Sequence, residues 1–145
     1  MSKLRFRKKQ NKILERKAGI KPGSLVIPEE AYKPRFFLMS FSESFLDEVE
    51  LNSYQELIKR VKAKPDARHW IDIRGYADQN MLEQLILDFG LHPLQMEDVI
   101  NDYQRPKVEE FDKNRLFIIT RMLRWSPEFK TLVDVQLSLF TGENY

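Results

Sequence analysis

The sequence predicts an α/β protein, a mixed sheet with helices packed on it, and three observations carry that prediction. Extended, β-rich runs are interleaved with stretches of helical periodicity in the order β-β-α-β-α-α-β-β-β. Helix-boundary residues stand where the period changes, at Ser53, Asp78, Gly90 and Pro93. The final long run alternates residue by residue, with Val133, Val135, Leu137 and Leu139 on one side and Asp134, Gln136 and Ser138 on the other. A chain of 145 residues, 42% hydrophobic and 12% aromatic, has a one-domain length and enough apolar material for a core.

The elements follow in order. Arg35–Phe41 reads as a strand, and Val49–Leu51 as a shorter partner beyond a turn region at Ser42–Asp47. Ser53-Tyr54-Gln55-Glu56 has capping-box spacing and opens a helix whose Leu57, Ile58 and Val61 share a face. Lys64-Pro65-Asp66 ends that helix. His69–Arg74 is the next strand, stopped by Gly75. Asp78 caps a helix carrying the stripe Leu82, Leu85, Ile86 and Phe89, and Gly90 terminates it. Pro93 suits the first turn of a further helix, on which Met96, Val99 and Ile100 form the apolar face. Asp98 lies about 200° round from Met96, and so points away from that face. Pro106 bars helix continuation and extends Arg105. Lys107–Phe111 and Leu116–Leu123 read as strands, Trp125–Lys130 as a connecting loop containing Pro127, and Leu132–Phe140 as the last strand. The last two long strands are close enough to pair as an antiparallel hairpin.

Composition narrows the functional classes. Cysteine is absent, which removes disulfides and thiolate chemistry. No signal peptide shows at the N-terminus, and the unbroken apolar run Leu116–Ile119, matched in length by Phe36–Met39 and exceeded by none, is far short of the roughly 20 residues of a spanning helix. No phosphate-cradling glycine loop, dinucleotide fingerprint, nucleophile elbow or paired-histidine zinc motif occurs. The sequence does not read as an enzyme. The net charge of +2 hides a division, because residues 1–22 hold nine of the 24 Lys and Arg but one acidic residue, Glu15. Residues 1–33 read as a mobile basic arm and linker, and 34–145 as the folded, acidic body. A terminal basic run can bind nucleic acid or anionic lipid, but with Phe6 as its one aromatic it reads first as a solvated terminus.

The densest signal is the gapless run Gly90-Leu91-His92-Pro93-Leu94, then Glu97-Asp98-Val99-Ile100-Asn101, then Gln104-Arg105-Pro106-Lys107-Val108-Glu109. This run resembles the soluble cytoplasmic domain of the CorA family of magnesium and cobalt transporters. The likeness extends less densely from about His69 to Asn144. A zinc-transporting branch shares the fold, and Gln104–Glu109 looks more like the magnesium and cobalt branch.

The resemblance implies the rest. The chain would be the cytoplasmic, divalent-cation-sensing domain of such a transporter, truncated before the stalk and membrane helices and gating a pore outside the fragment. Asp98, with Glu97 as its neighbour, would supply half of a regulatory site shared between subunits, opposite an acidic residue on the adjacent stalk helix. The implied ion is Mg2+, with Co2+ as a second candidate, bound weakly by the fragment, with millimolar or poorer affinity as the order of magnitude. The implied partners are identical subunits in a pentamer and the membrane, through the absent helices. The implied location is the inner (plasma) membrane, with this part cytoplasmic, and the isolated fragment would be a monomer or weak oligomer. No nucleic acid is expected on this reading.

Plainer readings stand beside these. On residue chemistry alone, Glu97 and Asp98 are a solvated helix face. His69 reads as a packed or half-exposed ring, and His92 as a helix cap. Glu109, Glu110 and Asp112 read as edge charges on alternating faces. Arg105 and Lys107 would be interface ion-pair donors on one reading and part of a rigid helix-to-strand corner on the other, and proline chemistry favours the corner. Two alternatives to the sensing role remain: a stand-alone nucleic-acid-binding module using the basic arm, and the soluble domain of a zinc-transporting relative.

Overall fold

The computed structural model describes residue 19 and residues 21–101, 104–111, 114–128 and 130–145. Most of the basic arm therefore lies outside the described residues, as do Asp102, Tyr103 and Asp112. The elements are β1 (Arg35–Phe41), β2 (Leu46–Leu51), α1 (Tyr54–Ala63), β3 (Arg68–Arg74), α2 (Gln79–Phe89), α3 (Pro93–Ile100), β4 (Lys107–Phe111), β5 (Arg115–Ser126) and β6 (Thr131–Phe140). The α/β class and the element order match the sequence reading. The described strands form two three-stranded sheets, ordered β2-β1-β3 and β4-β5-β6, and every pairing between them is antiparallel.

Two strand boundaries differ from expectation by more than one residue. β2 begins at Leu46, because Ser42 to Phe45 already closes the turn through the Ser42 amide and the Phe45 carbonyl, 2.9 Å apart. β5 runs on through Trp125 and Ser126, which pair with Leu132 and Thr131, since Pro127 can sit just beyond the ladder without breaking it.

The helix ends follow local chemistry. Ser53 Oγ accepts from the Glu56 amide, and Asp78 Oδ1 accepts from the Met81 amide at 3.0 Å. Gly90 closes α2 in the left-handed region, at φ 59°. At the head of α3, His92 Nδ1 accepts from the Leu94 amide while Gln95 Oε1 accepts from the His92 amide, a reciprocal cap around Pro93.

The core lies between one face of the first sheet and the three helices. Phe36, Leu38 and Leu51 meet Tyr54 and Leu57 of α1, Met81 and Leu82 of α2, and Met96 and Ile100 of α3. Leu25 and Ile27, ahead of β1, also pack against this cluster. Ser40 and His69 are the polar pair within it: Nε2 of the ring lies 3.0 Å from the Lys64 carbonyl and Nδ1 lies 2.9 Å from Ser40 Oγ. A carbonyl only accepts, so Nε2 carries the proton and the ring is a structural bridge.

The second sheet joins this body through its inner face. Phe117 is fully buried and stacks on Phe140 with centroids 4.6 Å apart. The tail completes the join, because the Asn144 carbonyl accepts from the His69 amide at 2.8 Å and Tyr145 meets Phe89 edge to face. The orientation of β6 runs against its apolar pattern. Gln136 and Phe140 face the body, whereas Val135 and Leu137, with Met122 across from Val135, stay exposed. Among the described residues, no helix is long and apolar enough to cross a membrane.

Candidate functional site

The site is built around α3 and the corner that follows it. Met96 and Ile100 anchor α3 in the core, which turns Asp98 to the helix flank facing β4. Pro106 then sets the corner, and strand pairing of Lys107 with Ile119 places the Lys107 side chain on the inner face of the second sheet. Lys107 Nζ sits 2.7 Å from Asp98 Oδ2 and 2.6 Å from Glu109 Oε1. Gln104 Nε2 donates to the other Asp98 oxygen, Oδ1. The Lys107 ammonium also lies over the Phe117 ring, 5.2 Å from its centroid.

Charge and burial are balanced at this point. Lys107 and Asp98 each keep about a quarter of their side-chain surface exposed, at 27% and 26%. Burial works against the Lys107 charge, but the hydrogen bonds it donates to Asp98 and Glu109, with the charges of those carboxylates, outweigh it and hold its pKa above the usual lysine value. Lys107, Asp98 and Glu109 line an open groove of about 560 Å³ together with His92, Gln95 and Phe111.

Glu97 is placed differently. Adjacent helical residues are about 100° apart, and Glu97 Oε2 accepts from the backbone amide of Gly23 at 2.8 Å, tying the chain ahead of β1 to α3. The two residues singled out as metal ligands therefore look to different partners. Among the described residues no group of three or more His, Asp or Glu side chains converges. The carboxylate oxygens of Asp98 suit a hard divalent cation, but the surrounding residues supply one donor group and not a closed shell. Among the described residues of one chain, the donor set does not make a complete metal site.

Of the other candidates, His92 is a helix cap and His69 a buried bridge, as their plainer readings had it. Lys107 is an ion-pair donor as well as part of the corner, and its partners lie within the chain. Glu109 is drawn into the Lys107 pair, while Glu110 is exposed. Two residues escaped sequence reasoning. Gln136 Nε2 donates to the carbonyls of Asp98 and Val99, satisfying the end of α3. Arg115 does the same for α2, donating to the Phe89 and Gly90 carbonyls. The available signal was weak: a polar residue on an alternating strand, and an arginine opening one.

Comparison with known proteins gives two matches of note. The chain is 31% identical over 138 residues to "Cobalt/magnesium transport protein CorA" of Thermotoga maritima (strain ATCC 43589 / DSM 3109 / JCM 10099 / NBRC 100826 / MSB8), covering 93% of this chain and 38% of that protein. It is 32% identical over 89 residues to "Putative metal ion transporter YfjQ" of Bacillus subtilis (strain 168), covering 61% of this chain and 26% of that protein. The chain thus spans well under half the length of either relative. No family model matches it.

Proposed function

Because the chain belongs to the CorA family, we propose that it is the cytoplasmic, divalent-cation-sensing part of a membrane metal-ion transporter. The observation that carries the reading is the likeness over 93% of this chain to a protein described as a cobalt/magnesium transporter. On this reading the transported ion is magnesium or cobalt and the working unit is an assembly of identical subunits, a pentamer. Asp98 offers its carboxylate at the rim of the α3 groove to a regulatory Mg2+ shared with an acidic surface of the neighbouring subunit, and Glu97 lies beside it on the helix.

The physical basis is charge. Two carboxylate surfaces brought together repel unless a cation lies between them, and a hard divalent ion that keeps most of its water needs only one or two carboxylates. High cytoplasmic magnesium then favours closed interfaces and low magnesium loosens them. The test is metal flux through the full-length transporter carrying Asp98→Ala, measured over a range of internal magnesium. Weakened magnesium-dependent closure is expected, and flux with unchanged magnesium sensitivity would remove Asp98 from the mechanism.

A further inference from the structure

We propose that Lys107 is a tethered cation that occupies Asp98 in the metal-free chain, so that a divalent ion reaches this carboxylate only by displacing the ammonium. The inference rests on the reading of Asp98 as a metal-binding carboxylate and adds a built-in competitor to it.

Four features place the ammonium there. Its distances to Asp98 Oδ2 and Glu109 Oε1 are 2.7 and 2.6 Å, both short, charge-assisted contacts. The ring of Phe117, itself fully buried, presents its face to the same ammonium. Pairing of Lys107 with Ile119 directs the side chain to this side of the sheet, and Pro106 fixes the backbone just ahead of it. Gln104 takes the remaining Asp98 oxygen, so both oxygens are engaged.

Glu109 gives the arrangement its second state. When the ammonium leaves Asp98 it keeps the Glu109 carboxylate, so displacement gives up one contact instead of two. The fraction of molecules with Asp98 open then scales the apparent metal affinity, as for any ligand whose competent state is partly populated. In the absence of metal the same ammonium neutralises Asp98, which softens the repulsion between neighbouring acidic surfaces.

The test is a titration of the chain with MgCl2, followed by amide NMR signals around Asp98 and by the Lys107 Nζ signal. Lys107→Met is expected to tighten magnesium binding at Asp98 by about three- to fivefold, the upper end of the scale of one partly exposed ion pair. Lys107→Arg and the exposed-site control Arg105→Met are expected to leave it within about twofold, because neither frees Asp98 of its partner. Magnesium is expected to move the Lys107 Nζ signal in the wild type but not in Asp98→Asn. Should Lys107→Met fail to fold, Lys107→Gln replaces it with a neutral hydrogen-bonding chain. Equal magnesium affinity in the wild type and the neutral variants, with Asp98 still responding, overturns the competition and leaves the Asp98 reading in place. Signals around Asp98 that respond to magnesium in neither protein overturn both.

Discussion

Gln136 on β6 donates from Nε2 to the Asp98 carbonyl at 3.0 Å and to the Val99 carbonyl at 3.2 Å, so a strand side chain caps the helix that carries the candidate site. Its other amide atom, Oε1, accepts from Arg121, which is paired with Asp134 on the same ladder. The amide is thereby oriented, with its donor toward α3. Gln136→Leu keeps the bulk but takes this donor from the Val99 carbonyl and leaves the Asp98 carbonyl with the Asn101 amide, at an expected cost of about 1–3 kcal/mol in urea unfolding. Amide exchange in α3 should speed up more than in α1. A loss spread evenly over both helices would show that Gln136 acts through general packing instead.

The Ser40–His69 pair makes a second prediction. Ser40 faces the core at 2% exposure, and its hydroxyl is the partner of His69 Nδ1. Ser40→Ala leaves that ring nitrogen buried without its donor, with an expected cost of about 1–3 kcal/mol. Thermal unfolding of the single variant and of Ser40→Ala with His69→Leu checks it. The double variant removes both polar partners and should recover part of the loss, and a double variant less stable by the full sum of both changes would contradict the pairing.

Much of this fold was legible in the sequence because its helix ends carry their own chemistry. Ser53, Asp78, Gly90 and the His92–Pro93 pair act within three or four residues, and they set the element order. Facing was less legible. Alternation in β6 shows which residues share a side, but not which side meets the body, and here the side with Gln136 and Phe140 does. Aromatic packing at the base of the strand, Phe140 on Phe117, overrides the aliphatic stripe. The Asp98–Lys107 contact was hidden for a related reason. Both residues stood out individually, but their meeting depends on the angle of the Pro106 corner and on the β4–β5 register.

Tyr54 carries a pH prediction. Burial, then the hydrogen bond from its hydroxyl to Asp88 at 3.0 Å and the charge of Asp88, raise the phenol's pKa far above the usual tyrosine value of about 10. The folded state therefore holds the proton after the unfolded chain has lost it. Stability from this group is complete below about pH 10 and declines as the pH rises past that value toward the folded pKa. Tyr54→Phe should flatten that alkaline decline in denaturant midpoints, and phenolate absorbance should show one tyrosine ionising only with unfolding. A wild-type alkaline slope retained in Tyr54→Phe would assign it elsewhere.

Two glycines should respond unequally to alanine. Gly75 ends β3 at φ 98°, and a Cβ there would fall 2.5 Å from the Lys33 carbonyl oxygen and 2.6 Å from that of Tyr32. Those atoms are backbone, and the Tyr32 carbonyl also accepts from the Ala77 amide, so the approach cannot open cheaply. Gly90 has φ 59°, and the nearest atom to its Cβ would be the end of the Arg115 side chain at 3.5 Å, an ordinary contact. Gly90→Ala should therefore cost only the left-handed penalty, about 1–2 kcal/mol. Gly75→Ala adds the collision to a similar penalty and should cost more, by loosening the segment ahead of β1 from the β3–α2 connection. Urea midpoints of the two variants settle the order. Equal losses would mean that the Tyr32–Lys33 backbone yields freely to the added methyl group.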